Sequence, residues 1–552
     1  MSEDKKLRII PLGGLGEIAK NCMVLEYGDD IVLIDAGVMF PEDEMLGIDL
    51  VIPDISYLED KRDRIRAIII THGHEDHTGA LPYFLRSINA PIYGTRLTLG
   101  LLEVKLKEHG LNEKVSMREI APGDQITLGP FRFEFFHMCH SIPDGVGMAI
   151  YTPVGLVVHS GDFKFDYTPV DGELSDIWRL AKYAQEGVRL LLSDSTRADR
   201  PGYTPSERVI YDCFAEVFSE ARGRIIVTTF ASLISRVQQV VDIADEFNRS
   251  VCVTGRNMVQ NVNMAMQLGY LDVPANMLVR PDRLHEFNTD EVVIITTGSQ
   301  GEPTSALGRI ANRDHRQINV ETDDTVIISA SPIPGNEALV GKTIDKLFRQ
   351  GADVLYDRVA NVHVSGHGAQ EELKTLLSIL RPEAFIPIHG GYQHLMHHAR
   401  LAGELGVDTE NIIVAEDGDI IELTTDEIRK VDRVQAGYVF VDGLGVGDVS
   451  ESVLRDRQHL SQGGIFIVVV AIDRETGHVL SGPDIIARGF MQEGLEMLIE
   501  KARHRLYNNL EADLGPRAEI RQVQERIRDV VSTFLYAETR RRPMILPFVT
   551  EV

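Results

Sequence analysis

Short runs of aliphatic and β-branched residues alternate along the chain with longer amphipathic stretches. The runs Arg8–Pro11, Met23–Tyr27, Ile31–Asp35, Ala67–Thr71, Phe131–His137 and Leu156–Ser160 read as strands, being short, apolar and bounded by turn residues. Thr95–Glu108 and Ser206–Ala221 carry apolar residues at helical spacing and predict helices. A second series begins near residue 205. There Arg224–Thr229, Ser250–Val253, Glu291–Thr297 and Thr325–Ala330 predict strands separated by helical segments, the alternation of an α/β unit set inside a larger one. After Ile421 the pattern frays into the Gly- and Asp-rich Val441–Asp448, which reads as a linker. The last hundred or so residues bring one very apolar strand, Gly464–Ile472, and two charged amphipathic helices, as a small α/β module would. No internal repeat or low-complexity tract interrupts this order.

At 552 residues the chain exceeds what one core serves and should divide into about three or four compact units. No stretch approaches the roughly 20 apolar residues of a membrane-spanning helix. The start, Met-Ser-Glu-Asp-Lys-Lys, runs into the first apolar strand without a signal-peptide core. A cytoplasmic protein with no membrane partner is expected. Cys22, Cys139, Cys213 and Cys252 stand without a CxxC pair, which fits a reducing compartment and argues against a disulfide scaffold or a thiolate zinc site. The formal net charge of −27 points away from nucleic acid, because phosphate binding rests on Lys and Arg. Net charge describes the whole surface, however, and a cleft holding two divalent cations and a few arginines is locally positive even on an acidic chain.

Candidate chemistry is concentrated in Thr71-His72-Gly73-His74-Glu75-Asp76-His77-Thr78-Gly79, directly after Ala67-Ile-Ile-Ile70. Three imidazoles and a carboxylate this close together, on a Gly-containing loop at a strand end, can turn in different directions and reach two metal ions about 3.5 to 4 Å apart. A regular helix could not present four ligands to two centres at that spacing. The plain alternative, a surface histidine cluster without metal, does not account for HxHxDH sitting where a strand ends. Further donors must come from other strand ends. His140, after the strand ending Phe136-His137, and Asp162, in His159-Ser-Gly-Asp162, are the candidates. A competing motif, Gly14-Leu-Gly16-Glu-Ile-Ala19, fits a GxGxxA dinucleotide fingerprint with Asp35 as the ribose acid. That fingerprint needs a helix next, whereas Asn21–Tyr27 reads as a strand, so the glycines are better explained as a tight turn beside a metal cleft.

The HxHxDH segment resembles the metal motif of the metallo-β-lactamase superfamily without departure. The resemblance supports His140 and Asp162 as ligands by their order in the chain, and implies that Asp35 orients a ligand without binding metal. Three later segments resemble motifs A, B and C of the β-CASP nucleases: Leu190-Leu-Leu-Ser-Asp194-Ser-Thr, Val362-His-Val-Ser365-Gly-His367-Gly-Ala-Gln and Phe385-Ile-Pro-Ile-His389-Gly-Gly. Among those nucleases the chain is most similar to ribonuclease J. Pro11-Leu-Gly-Gly-Leu-Gly-Glu17, Phe230-Ala-Ser232, Thr296-Thr-Gly-Ser-Gln-Gly-Glu-Pro303, Ser329-Ala-Ser331-Pro-Ile-Pro-Gly335 and Ser365-Gly-His367 carry the likeness, which extends through the C-terminal module. One departure is visible: Ala231-Ser232-Leu-Ile-Ser235-Arg236 stands where the family pattern is Ala-Ser-Asn-Ile-His-Arg. It puts in doubt a role carried by that histidine, but not one carried by Ser232.

The resemblance implies an α/β fold: a metallo-β-lactamase αββα sandwich with an inserted β-CASP α/β domain and a small C-terminal α/β domain. The expected boundaries are 1–204 and 358–428 for the sandwich, 205–357 for the insert, 429–453 for a linker and 454–552 for the last domain. It further implies two divalent ions, Zn²⁺ first and Mn²⁺ as the alternative, with His72, His74 and His140 on one, Asp76, His77 and His389 on the other, and Asp162 bridging. Asp76 counts as catalytic as well as ligand, and His367, held by Asp194, is the expected proton donor to the leaving 3′-oxygen. A 5′-monophosphate would be held by the hydroxyls and backbone N–H groups of Ser232, Ser365, His367 and Gly368. The implied activity is a 5′-to-3′ exoribonuclease with some endonuclease action, serving RNA maturation and mRNA decay, with single-stranded RNA as substrate and a homodimer as the assembly. The alternatives are a DNA-directed β-CASP nuclease, a hydrolase of small esters, which would not need residues 205–357, and a metal-free RNA scaffold, which should have lost ligands.

Overall fold

The computed structural model of the chain describes residues 6–333, 335–491, 493–513 and 519–552; the chain start and Pro334 of the Ser329–Gly335 motif lie outside them. The chain forms two compact units, Met1–Phe40 with Leu50–Val439, and Pro41–Asp49 with Phe440–Val552.

In the first unit, two sheets share a core. One has eight strands, in the order Ile428–Arg433, Asp419–Leu423, Leu7–Gly13, Cys22–Tyr27, Asp30–Ile34, Ile65–Ile69, Ile92–Gly94 and Met117–Glu119. The other has six: Ala384–Ile388, Val188–Asp194, Gly155–His159, Val146–Thr152, Phe131–His137 and Gln125–Leu128. Alternate residues explain the pairing of the sheets. Ile9, Leu25, Val32 and Ile69 of the first meet Phe133, Phe135, Val157, Leu190, Leu192 and Ile386 of the second in one cluster. The intervening Phe136, Val158, Leu191 and Phe385 face outwards onto helices Ile177–Glu186, Gln370–Leu380 and Tyr392–Glu404. Strands buried on both faces read as continuous apolar runs, which is why these segments were visible in the sequence without clean alternation.

A third sheet is parallel throughout, in the order Ser250–Val253, Val292–Thr296, Ile225–Thr228, Thr325–Ile328 and Asp353–Leu355. Ile225, Val227, Val293 and Ile295 bury one face against helices Arg208–Glu220, Ile234–Glu246 and Arg256–Leu268. Ile226, Ile294, Val326 and Ile328 bury the other, against Ala306–Ala311 and Glu337–Arg349.

In the second unit, strand Ile465–Ile472 lies between Val479–Arg488 and Met544–Glu551. Phe466, Val468, Val470 and Ile472 pack under helices Leu495–Asp513 and Ile520–Thr539. Val469, Ile486 and Phe548, on the opposite face, are 40%, 49% and 55% exposed. The segment Pro41–Asp49 joins this unit because Arg457 of helix Glu451–Gly463 donates to the Leu46 carbonyl and Gln458 to that of Glu44. The stretch 429–453 contains ordered strands at Tyr438–Asp442 and Gly445–Val446. Among the described residues no helix is long and apolar enough to cross a membrane, and all four cysteines are free.

Candidate metal centre

Strand direction brings the candidate residues to one edge of the sandwich. Gly155–His159, Val188–Asp194 and Ala384–Ile388 are parallel neighbours, and Phe131–His137, two antiparallel steps away, points the same way. Their carboxyl ends deliver Asp162, Asp194, His389 and His140. The parallel strands Asp30–Ile34 and Ile65–Ile69 deliver Asp35 and the HxHxDH segment from the facing sheet.

The segment itself is not loop throughout. Glu75–Thr78 forms one helical turn that carries Asp76 and His77, with the His74 carbonyl accepting from His77 and Thr78. Acidic residues at the start of such a turn suit its exposed N–H groups. The turn is pulled inwards by Asn21, whose backbone N–H and side-chain Nδ2 both donate to the Asp76 carbonyl at 3.0 and 3.1 Å. Gly37 permits that approach, since a Cβ there would lie 1.6 Å from the same carbonyl oxygen. Gly14–Ala19 is followed by no helix: Leu15–Gly16 pairs with Gly390–Gly391, and the next element is strand Cys22–Tyr27. The dinucleotide reading is therefore excluded.

The nitrogen and oxygen atoms fall into two groups. His72 Nε2 and His140 Nε2 lie 3.0 and 3.2 Å from His74 Nδ1. His77 Nε2 and His389 Nε2 lie 3.1 and 3.3 Å from Asp162 Oδ2, and 3.6 and 3.8 Å from Asp76 Oδ2. The same Asp162 oxygen is 3.7 Å from His72 Nε2 and 3.9 Å from His140 Nε2, so it adjoins both groups.

Hydrogen-bond partners decide what these atoms can do. His140 Nδ1 faces the Gly366 carbonyl at 2.9 Å, which only accepts, so Nδ1 carries the proton and Nε2 an open lone pair. A Cβ on Gly366 would sit 2.6 Å from the His140 ring, which makes glycine necessary there. The Thr71 hydroxyl donates to Asp35 Oδ2 at 2.9 Å and accepts from His72 Nδ1 at 3.0 Å, leaving His72 Nε2 open as well. His77 donates its Nδ1–H to Asp35 Oδ2 at 2.7 Å. Its Nε2 then confronts two carboxylates. Converging lone pairs repel unless a proton or a cation lies among them, so this donor set fits divalent metal in both groups. His389 Nδ1 is buried and has no hydrogen-bond partner among the described residues.

Proton affinities split along the same line. Burial pushes His72 and His140 well below the ordinary imidazole range and His74 down to about 4. Burial opposes charge on His77 and His389 too, but Asp162 and its neighbours hold His77 well above that range and His389 up to about 9. Asp162, which burial alone would raise, is held well below the carboxylate range by His389 and His77.

His367 stands beside these groups with its Nδ1 2.8 Å from Asp194 Oδ2 and 4.0 Å from Asp162 Oδ2. Burial pushes the Asp194 carboxyl up, and His367 outweighs that and brings it below its ordinary value. The Ser365 hydroxyl accepts from the His367 N–H at 3.2 Å. One expectation needs correcting: the Gly368 N–H donates to the Phe163 carbonyl at 2.7 Å and is not free for a phosphate. Ser232 lies in the turn before helix Ile234–Glu246, and its hydroxyl makes no hydrogen bond among the described residues. Arg236, fully buried, couples that turn to motif B: it pairs with Glu207 at 2.5 Å and donates to Ser329 and to the Val362 carbonyl.

Sequence reasoning passed over Asn21, Thr71, Gly366 and Arg236. Thr71, Gly366 and Arg236 lie within motif segments and Asn21 just beyond one, but a lone Asn, Thr, Gly or Arg carries no spacing signal.

Four family models match the chain: "Metallo-beta-lactamase superfamily" at residues 15–198, "Ribonuclease J, beta-CASP domain" at 222–347, "Zn-dependent metallo-hydrolase RNA specificity domain" at 352–414 and "Ribonuclease J C-terminal domain" at 452–552. Ribonuclease J2 of Bacillus subtilis is 44% identical over 99% of both chains. Ribonuclease J 1 of Streptococcus pyogenes is 44% identical over 98% of this chain and 97% of its own. Ribonuclease J 2 of Staphylococcus aureus is 40% identical over 100% of this chain and 99% of its own. A solved structure of a protein of unknown function from Enterococcus faecalis shares the fold at a TM-score of 0.56 and 15% identity, covering 76% of this chain and 100% of that one.

Proposed function

The chain belongs to the ribonuclease J family, and we propose that it hydrolyses RNA at a two-metal centre, from the 5′ end of monophosphorylated chains, with some internal cleavage. Its fold is a metallo-β-lactamase domain with an inserted β-CASP domain and a ribonuclease J C-terminal domain. One observation carries the mechanistic reading: the donor sets His72–His74–His140 and Asp76–His77–His389 both adjoin Asp162, and a third set joins Asp162 and His389 to the His367–Asp194 pair.

His72, His74 and His140 are assigned to one ion, Asp76, His77 and His389 to the other, and Asp162 to both. Divalent cations bound there supply a water activated near neutral pH and offset charge on the phosphoryl oxygens. Zn²⁺ is the first expectation and Mn²⁺ the second, since mixed imidazole and carboxylate donors suit either. Asp35 and the Gly366 carbonyl keep His77 and His140 turned inwards. His367 has a different task. With Nδ1–H tied to Asp194, its Nε2 hands a proton to the departing 3′-oxygen, which leaves 5′-phosphate and 3′-hydroxyl products.

Ser232, Ser365 and His367 are assigned to the 5′-phosphate, with Gly368 contributing its turn and not its N–H. The names of the relatives and the RNA specificity match support RNA as substrate; the role that goes with this reading is RNA maturation and mRNA decay in the cytoplasm. A homodimer through the C-terminal unit would cover Val469, Ile486 and Phe548.

The test is a single-stranded RNA labelled at its 3′ end, bearing a 5′-monophosphate or a 5′-triphosphate, beside DNA of the same sequence. Mononucleotides should be released from the 5′ end, much faster from the monophosphate and from RNA. Equal rates on the two 5′ ends, or shortening from the 3′ end, would defeat the polarity; DNA cut as well as RNA would favour the DNA-directed alternative.

A further inference from the structure

We propose that Thr196 is a positioning residue that aims the Asp194–His367 pair. The proposal rests on the reading of His367 as proton donor. Asp194 closes strand Val188–Asp194 and is 1% exposed. Its Oδ2 accepts from His367 Nδ1 at 2.8 Å and from the Phe163 N–H at 3.4 Å. Its Oδ1 is gripped by one residue twice: the Thr196 N–H donates at 2.9 Å and the Thr196 hydroxyl at 2.8 Å. A carboxylate held by two donors on one oxygen cannot rotate without breaking both bonds, so the other oxygen stays aimed at the imidazole.

The same turn also reaches the His389 carbonyl. The His389 carbonyl lies 3.1 Å from Thr196 Oγ1 and 3.4 Å from the Ser195 N–H. His389 has a φ of +53°, a left-handed conformation uncommon for a residue with a Cβ. The hydroxyl has one proton for two acceptors, and the shorter contact to a charged oxygen takes it, so the hydrogen bond that reaches the His389 carbonyl comes from the Ser195 N–H. Ser195 anchors the turn from behind, with its hydroxyl against the Ser193 carbonyl and His398 Nδ1 at 3.1 and 3.0 Å. Ser195 thus faces the interior and Thr196 the site. One turn fixes both the acid pair and the backbone from which a candidate metal ligand projects.

The experiment compares Thr196→Val, which removes the hydroxyl at constant shape, with Thr196→Ser, which keeps it, and with His367→Ala. Two substrates are used on metal-loaded enzyme: a 5′-monophosphorylated RNA, whose leaving alkoxide needs a proton, and bis(4-nitrophenyl) phosphate, whose leaving phenolate does not. Thr196→Val should lower kcat on RNA by about 10- to 100-fold with KM changed no more than about threefold and metal content retained. Its loss on the activated diester should be at least about tenfold smaller, and Thr196→Ser should recover most of the RNA rate. Equal losses of Thr196→Val on both substrates, loss of metal, or failure of Thr196→Ser to recover would overturn the positioning role. If His367→Ala itself lost equally on both substrates, the reading of His367 as acid would fall, and the proposal with it; a selective loss in His367→Ala but none in Thr196→Val would overturn the proposal alone.

Discussion

Loading metal into the metal-free protein should release protons from one donor group and almost none from the other. At pH 7 His72, His74 and His140 are neutral, because burial holds His74 near 4 and the other two well below the ordinary range. His389, held near 9, and His77, held well above its ordinary value, are protonated. A metal ion must have the free lone pair. Displacing a proton from a group two pH units below its pKa costs about 2.7 kcal/mol, or about 100-fold in affinity, for His389 alone. Full loading at pH 7 should therefore displace about two imidazole protons per chain, chiefly with the second equivalent, beside any proton the activated water gives up. The sign follows: affinity at the Asp76–His77–His389 group rises with pH through about 9, where His389 gives up its proton, whereas at the His72–His74–His140 group it stays flat down to about 4. In the metal-free protein the raised His389 contributes stability that is fully present below its ordinary value of 6.5 and lost as pH rises through about 9. Calorimetric titration of apo-protein with Zn²⁺ in buffers of differing ionisation enthalpy counts the protons. Release of none, or the same pH dependence for both equivalents, would refute the split.

Three other outcomes are expected. His74→Ala and Asp162→Ala should lose activity and metal together, with Asp162→Ala losing more of it; elemental analysis showing unchanged metal in both would sink the ligand assignment. Gly366→Ala should push the His140 ring aside, lowering metal affinity at its group by about 10- to 100-fold while circular dichroism stays unchanged; undiminished affinity would show that the close contact can relax. Ser365→Ala should narrow the preference for 5′-monophosphate over 5′-triphosphate RNA, at about 1.5 to 3 kcal/mol for a lost hydrogen bond to a charged group. Internal cleavage of a long RNA should suffer less, and an unchanged preference would remove Ser365 from the pocket.

How much of this was legible in the sequence depends on where each residue's contribution resides. His72, His74, Asp76 and His77 announce themselves because several strong donors at one strand end have few other uses, and His140, Asp162 and His389 follow the ends of parallel-running strands. Four strands of the parallel sheet were visible because strands covered on both faces leave unbroken apolar runs; the short edge strand Asp353–Leu355 was not. Gly368 misled for the opposite reason. Its N–H looks available in the sequence, but its partner is the carbonyl of Phe163, a residue far away along the chain. Gly366 and Asn21 were silent because their contribution is a close approach and the direction of a hydrogen bond.

Asp35 shows why fold and site cannot be read apart. It has a φ of +62°, a conformation that costs a non-glycine residue roughly 1 to 3 kcal/mol and persists only where the surroundings enforce it. The enforcement comes from the centre itself: its carboxylate takes the Thr71 N–H at 2.8 Å, the Thr71 hydroxyl at 2.9 Å and His77 Nδ1 at 2.7 Å. Hydrogen bonds to a buried charge contribute about 1.5 to 3 kcal/mol each, so three of them outweigh the strain. The same three bonds turn His77 and, through Thr71, His72 towards their two groups. Asp35→Ala would remove the acceptor and leave three donors and a strained backbone. The strand end at Ile34 and both metal groups should then loosen together, as a drop in melting temperature that added Zn²⁺ no longer offsets.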